Sequence, residues 1–369
     1  MRLLRATTIY IALFFSFSAN AQDTLRLTFI GDIMQHMPQI SGAKYNETYS
    51  YYSCFSHIAQ HLSEADLTVA NLETTLAGPP YAGYPWFAAP DELAYTLKDV
   101  GIDILATANN HSCDKGLKGI TRTLDVLDSL GIVHLGTYRT QNEKDRCHPL
   151  RVEKSGFRLA FLCYTYGTNG LAIPSPTRVN LIQQDSIAKD LASLNPWNPD
   201  ATIVIIHWGD EYHRLPNTEQ KRLANFITDN GATMVIGSHP HVIQPMELRY
   251  SGEKPHHSTD FRAQSAVVYS LGNFVSNQER KHTDGGAITY FTLVKENGKT
   301  QIADASYSLV WVYKPIEESV KRFYILPVEN FEDKSEFFQQ GYYPRFMRFV
   351  NDARSLLESN NYGIYERKF

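Results

Sequence analysis

Six short polar motifs combine carboxylate, amide and imidazole side chains, and each follows an apolar run that is typical of a buried strand. They are Gly31-Asp32-Ile33-Met34, Asn71-Leu72-Glu73, Ala108-Asn109-Asn110-His111, His207-Trp208-Gly209-Asp210-Glu211, Gly237-Ser238-His239-Pro240-His241 and Ser270-Leu271-Gly272-Asn273-Phe274. Oxygen and imidazole-nitrogen atoms are the donors that divalent metals take from proteins. The motifs therefore predict a metal site assembled from distant parts of the chain.

The side chains in these motifs have chemically distinct candidate roles. The candidate metal ligands are Asp32, Glu73, Asn110, His207, His239 and His241. His111 directly follows Asn110 and is placed to act as a general acid toward a leaving group. The spacing of two between His239 and His241 predicts that both imidazoles lie on one face of an extended segment.

Other polar residues near the motifs have alternative interpretations. Glu211 could bind substrate or orient His207, and a solvated turn fits the sequence equally well. Asn273 could bind a ligand or hold a loop, and together with Glu211 it is the candidate substrate-binding pair. Asp114 is predicted to cap the helix that follows it, with a catalytic role as the alternative.

The elements that must position these motifs alternate between strand and helix from residue 25 to residue 240. Strands are predicted at 25–30, 67–71, 102–107, 157–164, 201–206 and 233–236. Helices are predicted at 55–62, 91–100, 117–130, 185–194 and 218–229. This alternation predicts an α/β fold with a mixed or mostly parallel sheet, whose strand ends gather the motifs at one edge.

The pattern changes after residue 242, where consecutive strands are predicted at 243–250, 266–271, 287–294 and 300–312. They predict a β-rich second layer of the same domain, or a second sheet packed on the first. An aromatic-rich helical region is predicted at 337–358. The expected division is one domain over 22–315 and a C-terminal helical extension, 316–369, packed on it.

Residues 1–21 have the features of a signal peptide. Arg2 and Arg5 precede an apolar run at 9–17, which is too short to span a membrane comfortably, and Ala19-Asn20-Ala21 is a small-residue cleavage site. The expected location is therefore outside the cytoplasm, in the periplasm or at the cell surface, with no membrane span after cleavage. The net charge of -4 and the absence of a basic stripe argue against nucleic acid as a partner.

Four cysteines, Cys54, Cys113, Cys147 and Cys163, leave three complete disulfide pairings open. Cys113 lies two residues after His111, but the sequence implies no neighbour that would activate its thiol. Cys113 is therefore predicted to be a small buried residue.

Together the motifs resemble the CapA family, the poly-gamma-glutamate capsule biosynthesis proteins, which is similar to the calcineurin-like metallophosphoesterases. The resemblance runs from about residue 27 to about residue 312, with the six motifs in the expected order. It implies a metallophosphoesterase-like four-layer α/β/β/α sandwich. It also implies that Asp32 is the first metal-binding aspartate, that Glu73 is the bridging carboxylate, and that Asn110 and His111 are the ligand and the acid. His207, His239 and His241 take the places of the later histidine ligands.

Two departures from the phosphoesterase pattern affect the expected metal. Met34 stands where phosphoesterases carry the histidine of Asp-x-His, and a thioether is a poor ligand for a hard cation. Glu73 is one methylene longer than the usual aspartate. The resemblance therefore implies a divalent ion, Mn, Fe, Zn or Mg, and possible occupancy by one ion only, with His36 as an alternative ligand.

Two functions are compatible with these residues. The first is a metal-dependent hydrolase or transferase that acts on a poly-gamma-glutamate-type envelope polymer or on a phosphorylated envelope component. The second is a non-catalytic protein of capsule or envelope assembly that binds an anionic polymer in the same cleft. Met34 favours the second, whereas His111 beside Asn110 and the later histidines favour the first. The sequence leaves the oligomeric state open.

Overall fold

The computed structural model of this chain describes residues 23–250, 263–296 and 298–367. The predicted signal peptide, residues 1–21, lies outside the described residues. None of the helices in the described ranges combines the length and the apolar character that a membrane-crossing segment requires.

The described elements alternate as far as the middle of the chain and are mostly strands afterwards. The helices are α1 (Met37–Ala43), α2 (Tyr52–Phe55), α3 (Ala59–Ser63), α4 (Glu92–Asp99), α5 (Gly116–Ser129), α6 (Gln141–Cys147), α7 (Gln184–Ala192), α8 (Thr218–Asp229) and α9 (Tyr342–Asn360). The strands are β1 (Asp23–Ile33), β2 (Lys44–Tyr45), β3 (Thr48–Tyr49), β4 (Leu67–Leu72), β5 (Ile104–Ala106), β6 (Val133–Leu135), β7 (Thr137–Tyr138), β8 (Leu150–Lys154), β9 (Phe157–Thr165), β10 (Arg178–Val179), β11 (Ala201–His207), β12 (Met234–Ser238), β13 (Met246–Arg249), β14 (Ser265–Val268), β15 (Asn273–Val275), β16 (Gly285–Glu296), β17 (Lys299–Tyr313), β18 (Ile316–Glu317), β19 (Val320–Lys321), β20 (Tyr324–Pro327) and β21 (Tyr365–Glu366). Two short 3₁₀ turns, Val328–Asn330 and Ser335–Phe337, precede α9.

Most of these strands form two mixed sheets. The first has the order β20-β17-β16-β1-β4-β5-β6, with β15 beside β1 and β21 beside β17. Strands β1, β4, β5 and β6 are parallel, whereas β16 is antiparallel to β1. The second sheet has the order β13-β14-β12-β11-β9-β8, in which β9, β11, β12 and β14 are parallel. The predicted mixed, mostly parallel sheet organisation is confirmed for the strands that carry the motifs.

The helices and the two sheets stack in four layers, as the buried side chains between them show. Alternate residues of a strand point to opposite faces, so Ile203 and Ile205 of β11 enter the core between the sheets, where Phe29 of β1 also lies. Val204 points to the other face and packs with α7 and α8. The outer face of the first sheet packs on α2–α5 in the same way, with Leu93 of α4 among the buried residues. The four-layer α/β/β/α sandwich is therefore confirmed.

Several predicted elements differ from the observed ones. The single helix predicted at 55–62 is two short helices, α2 and α3. The strands after residue 242 do not form one separate layer, because β13 and β14 extend the second sheet while β16 and β17 extend the first. Strand β16 pairs with β1 over eight residue pairs, on the side of β1 opposite to β4. This pairing places the antiparallel hairpin of β16 and β17 in the first sheet and explains the division.

The C-terminal segment is not helical throughout, and this part of the prediction was wrong. Strand β20 pairs with β17, because Ile325 and Leu326 are apolar and become fully buried in the first sheet. Only α9 has the predicted helical character, and its Phe346 packs edge-on against Trp311 of β17. The division of the chain at residue 315 stays a prediction.

The four cysteines are all free thiols in the described structure. Cys54, Cys113 and Cys163 are buried, whereas Cys147 is exposed. Burial raises the pKa of Cys113 to about 11, which opposes thiolate formation at neutral pH. The prediction that Cys113 is a small buried residue is consistent with this environment.

Candidate metal centre

The first sheet contributes two carboxylates and an amide at the ends of neighbouring parallel strands. Asp32 lies near the end of β1, and Glu73 directly follows β4; both are fully buried. Asn71 Nδ2 donates to Asp32 Oδ1 at 2.8 Å and lies 3.4 Å from Glu73 Oε2. This amide therefore helps to hold the two carboxylates close together.

The second sheet contributes His207, the last residue of β11. His207 Nδ1 lies 2.8 Å from Ser238 Oγ, and its Nε2 lies 2.9 Å from Asn110 Oδ1. Burial, with a contribution from the neighbouring histidines, lowers the pKa of His207 well below its usual value. The imidazole is therefore neutral at physiological pH, which is the form that binds metals.

His239 and His241 also reach this cluster, but not by the predicted route. Their φ angles of 98° and 57° place both residues in a tight turn after β12, so the prediction of an extended segment was wrong. His241 Nδ1 lies 3.1 Å from Asp32 Oδ2, and the ring of His239 lies 4.8 Å from that of His207. Burial lowers the pKa of His239 to about 3.

The donor set fits a divalent cation. The residues form two candidate ligand groups, and the ligand atoms within each group lie within 4.8 Å of one another: Asp32, Glu73 and His207 form one group, and Glu211, His239 and His241 form the other. Glu73 Oε1 is buried and accepts no hydrogen bond from the described residues. It lies 3.7 Å from His207 Nε2 and 3.8 Å from His241 Nε2.

A buried carboxylate oxygen without a partner is costly unless a proton or a cation compensates it. Burial and the nearby Asp32 carboxylate raise the pKa of Glu73. His239 Nδ1 is likewise buried and has no hydrogen-bond partner in the described part of the chain. A cation held by Asp32, Glu73 and His207 would satisfy the orphaned Glu73 oxygen, which is the structural reason that these residues fit a metal.

His111 lies beside the cluster and is oriented by Asp114. His111 Nδ1 donates to Asp114 Oδ2 at 2.8 Å, and the backbone N–H of Phe87 donates to the same oxygen at 2.7 Å. The ring of Phe87 packs edge-on against His111 at 4.6 Å. The prediction that Asp114 caps a helix was wrong, because α5 begins after Lys115 and has no side-chain cap.

Met34 and His36 lie outside the two ligand groups. Met34 is buried and its Sδ accepts a hydrogen bond from Ser276 Oγ at 3.6 Å. His36 Nδ1 lies 3.2 Å from Gln39 Oε1 at the start of α1, and burial lowers the pKa of His36 to about 4. The structure therefore gives no support to His36 as a substitute ligand.

The two candidate substrate-binding residues have different environments. Glu211 is exposed and belongs to the second ligand group, so it borders the cluster. Asn273 is fully buried, and its Nδ2 donates to Gln278 Oε1 at 2.9 Å and to the carbonyl of Thr283 at 2.8 Å. These bonds hold the loop after β15, which was one of the two interpretations of Asn273.

Sequence reasoning assigned no role to three residues that shape this centre. Asn71 links Asp32 to Glu73, and its position two residues before Glu73 was a signal that both side chains share a face. Ser238 fixes His207, although it was noticed only as part of a motif. Tyr166 packs 4.5 Å from His239 and had no signal beyond following a predicted strand.

The α/β/β/α sandwich and the buried cluster at its strand ends define a protein with a metallophosphoesterase-like fold. Within that class, the chain belongs to the family described as "Bacterial capsule synthesis protein PGA_cap", whose model matches residues 26–278. The predicted family is thereby confirmed.

Two relatives from Bacillus species have similar sequences. "Capsule biosynthesis protein CapA" of Bacillus anthracis is 30% identical over 298 residues, which are 76% of this chain and 66% of that protein. "PGA biosynthesis protein CapA" of Bacillus subtilis (strain 168) is 29% identical over 292 residues, 75% of this chain and 70% of that protein. The match thus spans slightly less than two thirds of the first relative.

A solved structure, the calcineurin-like phosphoesterase YfkN of Bacillus subtilis, is similar at a TM-score of 0.44 and 12% identity. The likeness covers 78% of this chain and 90% of that one. It is too distant to add an argument to the layer arrangement described above.

Proposed function

We propose that this protein is an exported, metal-dependent hydrolase of capsule or envelope assembly that acts on an anionic polymer of the poly-gamma-glutamate type. The unpaired, buried Oε1 of Glu73 is the main support, because its surroundings supply the other ligands of a cation. The family description and the names of the two CapA relatives support the polymer. The pattern at residues 1–21 supports export.

The cation would be held by carboxylates from the first sheet and imidazoles from the second. Its ligands would be Asp32, Glu73, Asn110, His207, His239 and His241. Bound there, a divalent metal would polarise the scissile group and lower the pKa of a coordinated water. The hydrogen bonds of Asn71 and Ser238 would keep Asp32 and His207 oriented before the metal arrives.

His111 would supply the proton for the leaving group. Its Nδ1 is engaged by Asp114, which leaves Nε2 as the nitrogen that can carry and release a proton toward substrate. The buried carboxylate also fixes the plane of the ring. Phe87 restricts that plane further by its edge-on contact.

Metal analysis and hydrolysis assays on the purified chain test this function. We expect the purified chain to contain a divalent metal and to hydrolyse poly-gamma-glutamate. If the substrate is a phosphorylated envelope component, we expect hydrolysis of generic phosphoesters instead. His207→Ala should lose the metal, whereas His111→Ala should keep it and lose rate. His134→Ala is the matched control, because His134 lies away from the centre and pairs with Asp128. Turnover that is unchanged in both site variants would refute the proposal.

Met34 favours a second candidate function, a non-catalytic polymer-binding protein that retains the fold. The thioether contacts Ser276 and supplies no hard ligand at a position where phosphoesterases use histidine. Tight polymer binding without metal and without turnover in the same assays would favour this alternative over the hydrolase.

A further inference from the structure

A cavity of about 350 Å³ lies between the start of α9, the end of β17 and the loop at residues 276–284. Its volume is at the lower end of the range for small-ligand sites. Six lysine and arginine side chains line it against three carboxylates, although the chain as a whole carries a charge of -4. The cavity is therefore a local concentration of positive charge, outside the donor set of the metal centre.

The floor of this cavity contains a buried cation. Lys314 is 6% exposed, and its Nζ donates to the backbone carbonyl of Gln278 at 2.5 Å. No carboxylate lies within ion-pair distance of Lys314 among the described residues. Burial lowers the pKa of Lys314 to about 8, which reflects the cost of keeping an ammonium there. An anion in the cavity would offset that cost.

The rim contains two exposed arginines, Arg345 and Arg348, on the first turns of α9. Neither forms an ion pair within the described ranges, and the first turn of α9 has no acidic residue. Cations near a helix N-terminus oppose the helix dipole and are slightly destabilising. Helix stability therefore does not account for their position; Arg345 lies 5.7 Å from the centre of the Tyr342 ring, and both side chains are exposed to an anion.

The cavity lies beside the metal centre, with one aromatic ring between them. Arg280 lines the cavity and its guanidinium lies 4.3 Å from the centre of the Tyr212 ring, whose other neighbour, His241, is 6.1 Å away. Gln278 makes a second link, because its carbonyl accepts from Lys314 while its side chain accepts from Asn273. One aromatic ring thus separates the basic cavity from a candidate metal ligand.

We propose that this cavity is a carboxylate-binding subsite, which holds side chains of a polycarboxylate while a neighbouring unit of the same chain lies at the metal centre. This inference rests on the proposed function for the position of the scissile unit. Two of the six cations in the cavity pair with lining carboxylates, Lys281 with Asp352 and Lys321 with Glu279, and such divided charges suit spaced single carboxylates. A compact phosphate would need donors that converge on one point.

Binding of a labelled, gamma-linked oligoglutamate to the mature chain tests the subsite by fluorescence polarisation. We expect the double variant Arg345→Gln/Arg348→Gln to bind about tenfold more weakly, with a shallower salt dependence, because charge-assisted hydrogen bonds are lost. Arg151→Gln is the matched control; this exposed arginine packs on Trp197 in another part of the molecule. The variant Lys314→Met tests the contribution of the buried cation at the floor of the cavity. If that variant does not fold, the double variant of the exposed Arg345 and Arg348 still tests the subsite.

Competition with unlabelled ligands and metal analysis of each sample distinguish the possible outcomes of this binding assay. Neutral oligoglutamine should not displace the probe, and tripolyphosphate should displace it less well than oligoglutamate. Equal affinity of the wild type and the double variant, or preferential binding of tripolyphosphate, would overturn the subsite. If no sample contains metal but the double variant still loses affinity, the subsite stands and the hydrolase proposal fails.

Discussion

The pairs His111–Asp114 and His148–Asp190 have nearly the same nitrogen–oxygen separation but use different ring nitrogens and have different surroundings. His111 and Asp114 meet at 2.8 Å beside the candidate metal centre. His148 and Asp190 meet at 2.9 Å, with Tyr164 as a further donor to the aspartate. At the residue scale, the contacting nitrogen and the neighbours of a pair, rather than its separation, decide which pair can take part in chemistry.

This comparison leads to a prediction for Asp114→Asn. We expect the rate of the proposed hydrolysis to fall about 10- to 100-fold, because the amide does not hold the tautomer and the orientation of His111 as the carboxylate does. The metal content should stay the same, since Asp114 belongs to neither ligand group. Steady-state rates and metal analysis on the same preparation provide the measurement.

Asp190→Asn is the control for that variant, because it removes the same charge from the second pair. Its rate should match that of the wild type. Equal rate losses in the two variants would mean that Asp114 acts through general stability and not through His111.

Glu329 provides a residue-scale prediction about pH. Burial, reinforced by Glu366 and Glu332 and opposed by Arg367, raises the pKa of Glu329 from 4.5 to about 7. A carboxyl group whose pKa is raised by folding favours the folded state fully below its unfolded pKa. That contribution is lost as the pH rises through the folded pKa. The wild type should therefore lose stability relative to Glu329→Gln between about pH 4.5 and pH 7.

The expected difference is about 1 kcal/mol, because water reaches part of this side chain and screens its charge. Urea unfolding of both proteins at the two ends of this pH range measures it. A difference in unfolding free energy that does not change with pH would show that Glu329 titrates normally in the folded protein.

At the element scale, close contact between backbone segments places the ligand-bearing turns. A Cβ atom on Gly31 would lie 2.0 Å from the carbonyl oxygen of Gly272, and one on Gly237 would lie 2.0 Å from that of Tyr269. Gly237 belongs to β12, directly before Ser238 and His239. The close contact between β12 and the backbone at Tyr269 thus fixes the position of His239, which follows β12.

We therefore expect Gly237→Ala to lower the free energy of unfolding by about 3 kcal/mol, through overpacking against a backbone that cannot move away. Metal affinity should also fall, because Ser238 and His239 would be displaced. Thermal unfolding and metal titration measure the two effects. Gly167→Ala is the control, since a Cβ there meets no atom within 4 Å; similar losses in both variants would refute the steric explanation.

At the scale of the whole molecule, the candidate centre joins the two sheets. Asp32 and Glu73 come from the first sheet, whereas His207, His239 and His241 come from the second. A cation bound between them would tie together the two halves of the sandwich. Because such a cation would bind only the folded state, it should stabilise the whole fold.

We expect chelation to lower the melting temperature by several degrees. Free metal at 100 times its dissociation constant contributes about 2.7 kcal/mol to folding. Differential scanning calorimetry with and without added metal measures this shift. His207→Ala should show little dependence on metal, and a wild-type melting temperature that is independent of metal would contradict a centre that spans the sheets.

Much of the fold could be predicted because its signals are local. The apolar run at 201–206 and the helical period at 218–229 each depend on residues that are neighbours in the chain, and both elements are observed. The division of β13–β17 between two sheets could not be predicted, because strand pairing joins residues that are far apart in sequence. The separation of α2 from α3 depends on tertiary packing in the same way.

The sequence by itself determined which residue types stand at the strand ends, and hence that Asp32, Glu73 and His207 could share a cation. Tertiary structure alone decided that Asp114 faces His111, that a left-handed turn carries His239, and that Lys314 lies in a basic cavity. The physical reason is that a strand end can be recognised from the periodicity of adjacent side chains. Contacts between such ends depend on how whole sheets and helices pack.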